Sequence, residues 1–327
     1  MLRTFRRSKG PEFLVVRRWQ LKAHFYDVIL TWVADNFPEF SPLFRIHYLP
    51  CRVPRKSDVV LHIPWLQDPV QQWSERRYAQ ANRLAAECDA LGVPIINRVD
   101  RLINASKSVG ARLMAEAGVR TPRVAPIVDP EEFRETRLGI DLPLFVRDDW
   151  RHGGEMLRAD TMEEVRRLPL ERFPRPVAVE VIDVSGRTDG LYRKYRYVAA
   201  GDLGVSHHLQ MTRDWITRGK KRERTAVSRE EELAYIAKQD RNHEVLQRVR
   251  EALGLEFLAF DYGYDREGRM IVWEANPYPY IGFSPGKMSY RNGALHRTVA
   301  AMLGMYLRYG GLPVPDSLRQ RIAYEDD

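Results

Sequence analysis

The sequence has little of several features that mark well-known protein classes. Only two of its 327 residues are cysteines, Cys51 and Cys88, and they form no CxxC pair. We therefore expect no disulfide framework, and a reducing cytoplasm is the compartment that this composition favours. No apolar run approaches the roughly 20 residues that a membrane helix needs, and no apolar segment follows the basic N-terminus as in a signal peptide. Internal repeats and low-complexity tracts are absent as well.

The residues that are present have an ordinary globular balance. Hydrophobic residues make up 44% of the chain and charged residues 29%, and the length allows about two or three packed lobes. The net charge of +8 raises the local concentration of anions such as ATP, an acidic substrate or nucleic acid. An arginine-rich surface without such a partner explains the charge equally well. The basic clusters at 2–18 and 213–229 carry no aromatic stacking platform, so we do not expect a nucleic-acid partner.

The first hundred residues alternate between strand and helix patterns. Short apolar runs at 13–16 and 58–63 predict strands, and apolar residues at helical spacing predict helices over 19–37 and 68–91. The apolar run at 93–97 predicts a further buried strand. Strands that alternate with helices are typical of a parallel α/β region.

Two apolar strands around a turn at 265–268 carry oxygen-bearing side chains. Paired as a hairpin, they bring Asp261 beside Glu274, and Asn276 shares the face of Glu274 because alternate residues of a strand point the same way. Carboxylate and amide oxygens are the hard ligands that magnesium prefers. A hairpin with polar tips in solvent is the competing interpretation, and it is disfavoured because Glu274 stands between two apolar residues.

This arrangement resembles the metal-binding end of the ATP-grasp enzymes, where an apolar strand with Asp leads through a hairpin to Glu-x-Asn. The resemblance covers about residues 94–285 and implies an α/β fold, with α+β ATP-grasp lobes behind a Rossmann-like pre-ATP-grasp domain. It implies three domains: the N-terminal domain at 1–103, a small lobe or lid at 104–176, and a large lobe with the magnesium site at 177–327. The expected type is a carboxylate–amine/thiol ligase similar to D-alanine–D-alanine ligase, glutathione synthetase and RimK-type enzymes.

The resemblance assigns phosphate contacts to residues that precede the hairpin. Lys107 matches a helix lysine that reaches the nucleotide phosphates. The family's second phosphate-binding lysine is here Arg147, and arginine differs from lysine in geometry as well as in charge distribution. Gly153 and Gly154 match the glycine loop whose backbone N–H groups cover the phosphates. His152 beside them can donate to a phosphate.

The strand at 177–182 is similar to the family's hinge, where backbone groups read adenine. Glu180, Val181 and Ile182 match that hinge. Asp183 or Asp189 is the expected ribose ligand, and the sequence leaves this choice open.

The next strand carries a basic face. Alternation places Lys194 and Arg196 on one side of the strand and Arg193 and Tyr195 on the other. The resemblance assigns the side with Lys194 and Arg196 to the phosphates, as the catalytic residues. His208 is a candidate for the rim of the site.

The reaction implied by the resemblance begins with ATP phosphorylating a carboxylate, after which an amine or similar nucleophile displaces phosphate. ATP and Mg²⁺, or Mn²⁺ in its place, are the expected cofactors. Small-molecule or peptide carboxylates and amines are the expected substrates, with an acidic one favoured by the basic residues. The basic segment 213–229 is either a lid or a solvated loop. A homodimer is one possible assembly of the chain.

Two alternatives remain open at this point. A kinase-like phosphotransferase would use the same metal site. A catalytically inactive nucleotide- or RNA-binding protein stays open because of Arg147 and the net positive charge.

Overall fold

The computed structural model describes residues 10–20, 24–55, 58–67, 69–216 and 221–324. The strands are β1 (Pro11–Arg17), β2 (Phe44–Tyr48), β3 (Asp58–Trp65), β4 (Val124–Pro126), β5 (Leu144–Asp148), β6 (Leu157–Ala159), β7 (Pro176–Glu180), β8 (Tyr192–Ala200), β9 (Leu203–Thr212), β10 (Phe257–Tyr264) and β11 (Met270–Asn276). The helices are α1 (Asp27–Asn36), α2 (Val70–Trp73), α3 (Glu75–Ala90), α4 (Lys107–Glu116), α5 (Pro130–Thr136), α6 (Met162–Arg167), α7 (Ala226–Ile236), α8 (His243–Leu253), α9 (Asn292–Tyr309) and α10 (Asp316–Ile322). Short 3₁₀ helices lie at Pro38–Leu43, Leu102–Ala105, Arg137–Gly139, Leu170–Arg172 and Gly286–Arg291.

The chain divides into two compact units. Unit 1 combines Met1–Asp100 with Tyr278–Ala323, and unit 2 contains Arg101–Pro277 and the last residues from Tyr324. Residues 278–323, assigned above to the large lobe, thus cluster with the N-terminal residues. The three-domain division inferred from the sequence stays a prediction.

Unit 1 is built on a parallel sheet of order β2-β1-β3. The central residues of β1, 13–16, are fully buried, as expected for a parallel strand that is covered on both faces. The ring of Phe13 packs edge-on against Phe44 and Tyr306, so α9 covers one face of this sheet. The α/β character predicted for this region is confirmed, while its Rossmann-like assignment stays a prediction.

Three predicted elements of unit 1 need correction. The segment 93–97 forms a single bridge from Ile95 to His62 instead of a strand, and Asn97 turns away with φ of 50°. The helix predicted over 19–37 begins at Asp27, whose carboxylate accepts the N–H of His24; residues 21–23 lie outside the described ranges. The long helix predicted over 68–91 is split, because Ser74 is extended and caps α3 by accepting the N–H of Arg77.

Unit 2 contains two antiparallel four-stranded sheets. One sheet has the order β4-β7-β5-β6, and the part of unit 2 that contains it is called the smaller half below. The other sheet has the longer strands and the order β11-β10-β8-β9, and its part is called the larger half; β10 and β11 form the predicted hairpin. The helical region 226–253 is interrupted and forms two helices, α7 and α8. The interruption is organised by Asp240, whose buried carboxylate accepts hydroxyl hydrogen bonds from Tyr235 and Tyr262 and the N–H of Asn242.

None of the described helices is long and apolar enough to cross a membrane.

Candidate active site

One row of directly opposed residues runs across all four strands of the larger sheet in unit 2. Asp261 on β10 faces Glu274 on β11 and Arg196 on β8, and Arg196 faces His208 on β9. Register shifts occur directly beside this row, after Asp261 and after Arg196. Bulges re-aim side chains and are common beside active sites. The row therefore collects acidic, basic and imidazole groups on one face of the sheet.

Asp261 is held by two basic side chains. Arg196 donates from Nε to Oδ1 at 2.7 Å and from Nη2 to Oδ2 at 2.9 Å, and Lys194 donates from Nζ to Oδ2 at 2.9 Å. Only 7% of Asp261 is exposed. Burial alone would raise the pKa of Asp261, but the charges of Arg196 and Lys194 lower it to about 2. The carboxylate is thus ionised at neutral pH.

Glu274 has a matching set of partners from the smaller half of unit 2. Lys107 donates from Nζ to Oε1 at 3.3 Å, and His152 Nδ1 donates to the same oxygen while lying 3.4 Å from the lysine nitrogen. Burial would raise the pKa of Glu274, yet Lys107, the hydrogen bond of His152 and the charge of Arg147 hold it well below its ordinary value. Glu274 is therefore also ionised.

The segment 148–154, called the glycine loop below, is shaped by its own polar residues. Asp148 accepts the N–H groups of Trp150 and Arg151, and Arg147 donates from Nη2 to the carbonyl oxygens of Arg151 and Gly153 at 3.0 and 3.4 Å. These bonds shape the loop whose central residue, His152, contacts Glu274 of the β10–β11 hairpin.

The tip of the glycine loop requires glycine. Gly153 and Gly154 have φ of 91° and 87°, a region that other residues adopt only with strain. The base of the loop is tied to α4, because Asp149 accepts the N–H and hydroxyl of Ser108 at 2.7 Å. Lys107 at the start of α4 and His152 are consequently positioned together.

A cavity of about 450 Å³ lies between the two sheets of unit 2. Its polar end contains Lys107, Arg147, Lys194, Asp261 and Glu274. The rest of its wall is mainly apolar and includes the predicted hinge; it is formed by Thr121, Pro122, Val124, Pro143, Phe145, Met156, Arg158, Val179, Glu180, Val181, Ile182, Asp183, Val184, Tyr192, Trp215, Ile216 and Trp273. A concave, largely apolar site with a few convergent charged groups is typical of small-molecule binding.

The predicted hinge residues are partly engaged by the protein itself. Glu180 Oε2 accepts the N–H of Arg123 at 2.9 Å, and Val181 donates its N–H to the carbonyl of Pro143 at 3.4 Å. The two ribose candidates differ in position. Asp183 lines the cavity and pairs with Arg266 at 2.8 Å, whereas Asp189 is outside the cavity wall and pairs with Arg193 at 2.7 Å.

The remaining predicted residues lie around the polar end. Arg196 approaches the cavity through its bonds to Asp261, and Asn276, two residues beyond Glu274, faces the same side of β11. His208, opposite Arg196, is buried and bonds Gln210 at 2.8 Å between Nε2 atoms. Of the basic segment 213–229, residues 217–220 lie outside the described ranges; in the described part, Lys221 pairs with Asp214.

The donor set at the polar end fits a magnesium ion. Asp261 and Glu274 are ionised, directly opposed and hard in character, and Asn276 adds an amide oxygen on the same face. Within the part of the chain that the structure describes, no three His, Cys, Asp or Glu side chains form a metal-binding group by themselves. Magnesium takes one or two carboxylates and shares its other positions with phosphates and water.

The sequence did not predict that Trp215, Phe145 and Arg158 lie in the wall of the cavity. Trp215 stacks at a tilt against Phe145 with ring centroids 5.6 Å apart, and the guanidinium of Arg158 lies 5.5 Å from the centre of its ring. An isolated tryptophan within a basic segment gave no periodic signal. Only the tertiary fold brings it to the sheet that carries Phe145.

Comparisons with known proteins identify solved structures with a similar architecture. No protein-family model matches the sequence, and no curated protein matches it either. Solved structures do match. The D-Ala:D-Ser ligase VanG from Enterococcus faecalis is 13% identical, with 91% of this chain and 100% of that chain covered and a TM-score of 0.57. A RimK domain ATP-grasp protein from Sphaerobacter thermophilus is 13% identical, with 90% and 99% covered and a TM-score of 0.54.

The ATP-grasp ligase PsnB, in complex with a minimal precursor, Mg and ADP, is similar as well. It is 12% identical, with 90% of this chain and 98% of that chain covered and a TM-score of 0.52. At this level of identity the likeness concerns the fold. The chain has the α/β ATP-grasp fold, as the sequence analysis predicted.

Proposed function

We propose that this chain binds ATP with Mg²⁺ and activates a carboxylate as an acyl phosphate, which an amine or similar nucleophile then attacks. One observation carries the proposal: two ionised carboxylates, Asp261 and Glu274, stand opposite each other at the end of a cavity of about 450 Å³ and are surrounded by basic side chains. The fold adds support, since VanG and PsnB are described as ligases and PsnB is seen with Mg and ADP.

The basic residues have distinct tasks in this proposal. Lys107 and Arg147, beside the glycine loop, bind the phosphates of the nucleotide. Lys194 and Arg196, fixed on β8 by Asp261, stabilise the negative charge that develops as the phosphoryl group moves. Asp261, Glu274 and Asn276 would hold the metal, which would neutralise part of the negative charge of the phosphates.

The protein then acts chiefly by positioning. Phosphoryl transfer needs the carboxylate in line with the transferred group and needs preorganised charge around it. The side chains of Lys107, Lys194 and Asp261 are almost fully buried, at 5%, 17% and 9% exposure, so the charges act where water is scarce.

The apolar wall of the cavity would receive the adenine and ribose. The hinge backbone at 180–182 lies along this wall, and Asp183 is the cavity-lining candidate for the ribose. For the substrates we propose a carboxylate and an amine, either small or peptidic. PsnB is described with a precursor bound, which gives a precedent for a peptide on this fold.

Hydroxylamine trapping tests the proposal. The protein is incubated with Mg²⁺, ATP and a panel of amino acids, dicarboxylates and acidic peptides, with hydroxylamine present. An acyl phosphate is captured as a hydroxamate, so we expect a hydroxamate together with ADP for the correct carboxylate. A stable phosphorylated product without hydroxamate would support the kinase-like alternative. Binding of RNA that weakens steeply with salt, without ATP turnover, would support the inactive alternative.

A further inference from the structure

The polar end of the cavity carries more positive than negative charge. Four cationic side chains, Lys107, Arg147, Lys194 and Arg196, surround the two carboxylates of Asp261 and Glu274. Four positive charges against two negative ones leave an excess of two positive charges, before any contribution from His152.

Other charged residues of the cavity wall do not alter this excess. Each of them has an oppositely charged partner of its own: Arg158 pairs with Asp160 at 2.6 Å, Glu180 with Arg123 at 3.7 Å, and Asp183 with Arg266 at 2.8 Å. Asp148 and Asp149 do not line the cavity; their carboxylates accept hydrogen bonds from backbone N–H groups of the glycine loop and α4, which orient them without cancelling their charge.

Both metal-binding carboxylates are moreover occupied by protein cations. A metal ion that approaches Asp261 must compete with Arg196 and Lys194, and one that approaches Glu274 must compete with Lys107 and His152. A free divalent cation therefore meets two carboxylates that are already paired with protein cations, and like charges at close range repel strongly where water is excluded.

A metal–nucleotide complex meets the opposite situation. ATP with one divalent ion bears two negative charges, which the cations around Asp261 and Glu274 attract. Its phosphates offer new partners to Lys107 and His152, so that Glu274 becomes available to the metal at the same moment. Lysine exchanges partners in this way readily, because its ammonium is a compact charge on a flexible stem.

We infer that Lys107 and His152 make the site selective for the metal–nucleotide complex over the free metal, so that the divalent ion enters only together with its nucleotide. This inference rests on the proposed function, because it concerns the same cavity. It assigns to Lys107 and His152 a role that precedes any chemistry.

Manganese binding without nucleotide tests the inference. The probe is Mn²⁺ alone, whose free concentration is read by electron paramagnetic resonance, on wild type, Lys107→Met and His152→Gln. We expect wild type to bind free Mn²⁺ weakly, and Lys107→Met to bind it about tenfold or more tightly, because a unit positive charge is removed within a few ångströms. His152→Gln should shift binding in the same direction by a smaller factor.

The second arm uses Mn²⁺ with the imido analogue of ATP. Here the order of affinities should reverse. Wild type should bind the complex about tenfold more tightly than Lys107→Met, because the phosphates lose a partner in the variant. Lys238→Met, at an exposed helix-end lysine, and His47→Gln on β2 are matched controls that should leave both affinities unchanged. Circular dichroism and thermal melting of each variant show that it is folded.

Separate results identify which claim fails. If the wild type binds neither Mn²⁺ nor its complex with the analogue, the proposed function fails. If the complex binds but free Mn²⁺ binds wild type and Lys107→Met equally, whether tightly or weakly, the inference is overturned while the proposed function stands.

Discussion

Asp261 and Arg196 face each other directly across β10 and β8, and the guanidinium holds both carboxylate oxygens, at 2.7 and 2.9 Å. A bidentate pair of this kind fixes direction as well as distance. It keeps the proposed metal ligand and a proposed phosphate ligand side by side on one sheet, which is the arrangement that a preorganised site requires.

Removal of one partner of this pair should lower the free energy of unfolding more than removal of both partners. Asp261→Ala leaves Arg196 and Lys194 without their buried counter-charge, and we expect a loss of about 3–5 kcal/mol in the free energy of unfolding. The double variant Asp261→Ala, Arg196→Met should recover part of this loss, since fewer buried charges stay uncompensated. Urea denaturation measures both, with Asp58→Ala on an exposed strand end as the control. Additive single effects would contradict the coupling.

The pH dependence of stability should report on the same carboxylate. The pKa of Asp261 is about 2 in the folded protein, below the ordinary value of 3.8. A depressed pKa contributes stability that is fully present above about pH 4 and is lost as the pH falls towards 2. The difference in unfolding free energy between wild type and Asp261→Asn should thus be constant from pH 7 to 5 and shrink from pH 4 downwards. A difference that grows on acidification would contradict this assignment.

Glu274→Gln should abolish the magnesium-dependent release of ADP. The substitution preserves size but removes the charge that a metal needs, and it leaves Lys107 facing a neutral amide. A coupled assay for ADP measures the effect, and the matched variant Glu267→Gln, in the exposed hairpin turn, should retain activity. Undiminished turnover in Glu274→Gln would exclude this residue as a metal ligand.

Arg147→Lys should weaken nucleotide binding although it restores the residue expected in the family. Arg147 donates to two carbonyl oxygens of the glycine loop, and a lysine ammonium cannot reproduce this fork. We expect about a tenfold weaker affinity for the imido analogue of ATP by calorimetry, since one or two hydrogen bonds of a charged donor are lost. An affinity equal to that of the wild type would show that nucleotide binding depends only on the positive charge of residue 147.

Gly154→Ala should disturb the glycine loop through its backbone. The φ of 87° is strained for alanine, while no atom lies within 4 Å of the added methyl group, so the effect is conformational and should cost about 1–2 kcal/mol. Gly293→Ala in α9 is the natural comparison, because it also meets no atom but has a helical backbone, and there alanine should stabilise slightly. Thermal melting distinguishes the two, and equal shifts would refute the argument.

The sequence predicted the pairing of the two acidic strands better than the limits of the other elements. The pairing of Asp261 with Glu274 followed from strand alternation and a tight turn, both of which are local properties. Element ends were less predictable, because they depend on single caps such as Ser74 and on tertiary hydrogen bonds such as those of Asp240. The contacts of His152 and Trp215 could not be read from the sequence, since both arise where distant segments meet.

The division into units also bears on the order in which the molecule is made. Residues 101–277 form almost all of unit 2 as one continuous stretch, so this unit can fold while the ribosome is still adding the rest of the chain. Unit 1 must wait, because α9, which packs on Phe13, is synthesised nearly 300 residues later. Until α9 is synthesised, the apolar sheet of β1 lacks the helix that covers it. We expect the nascent protein to depend most on chaperones during this interval.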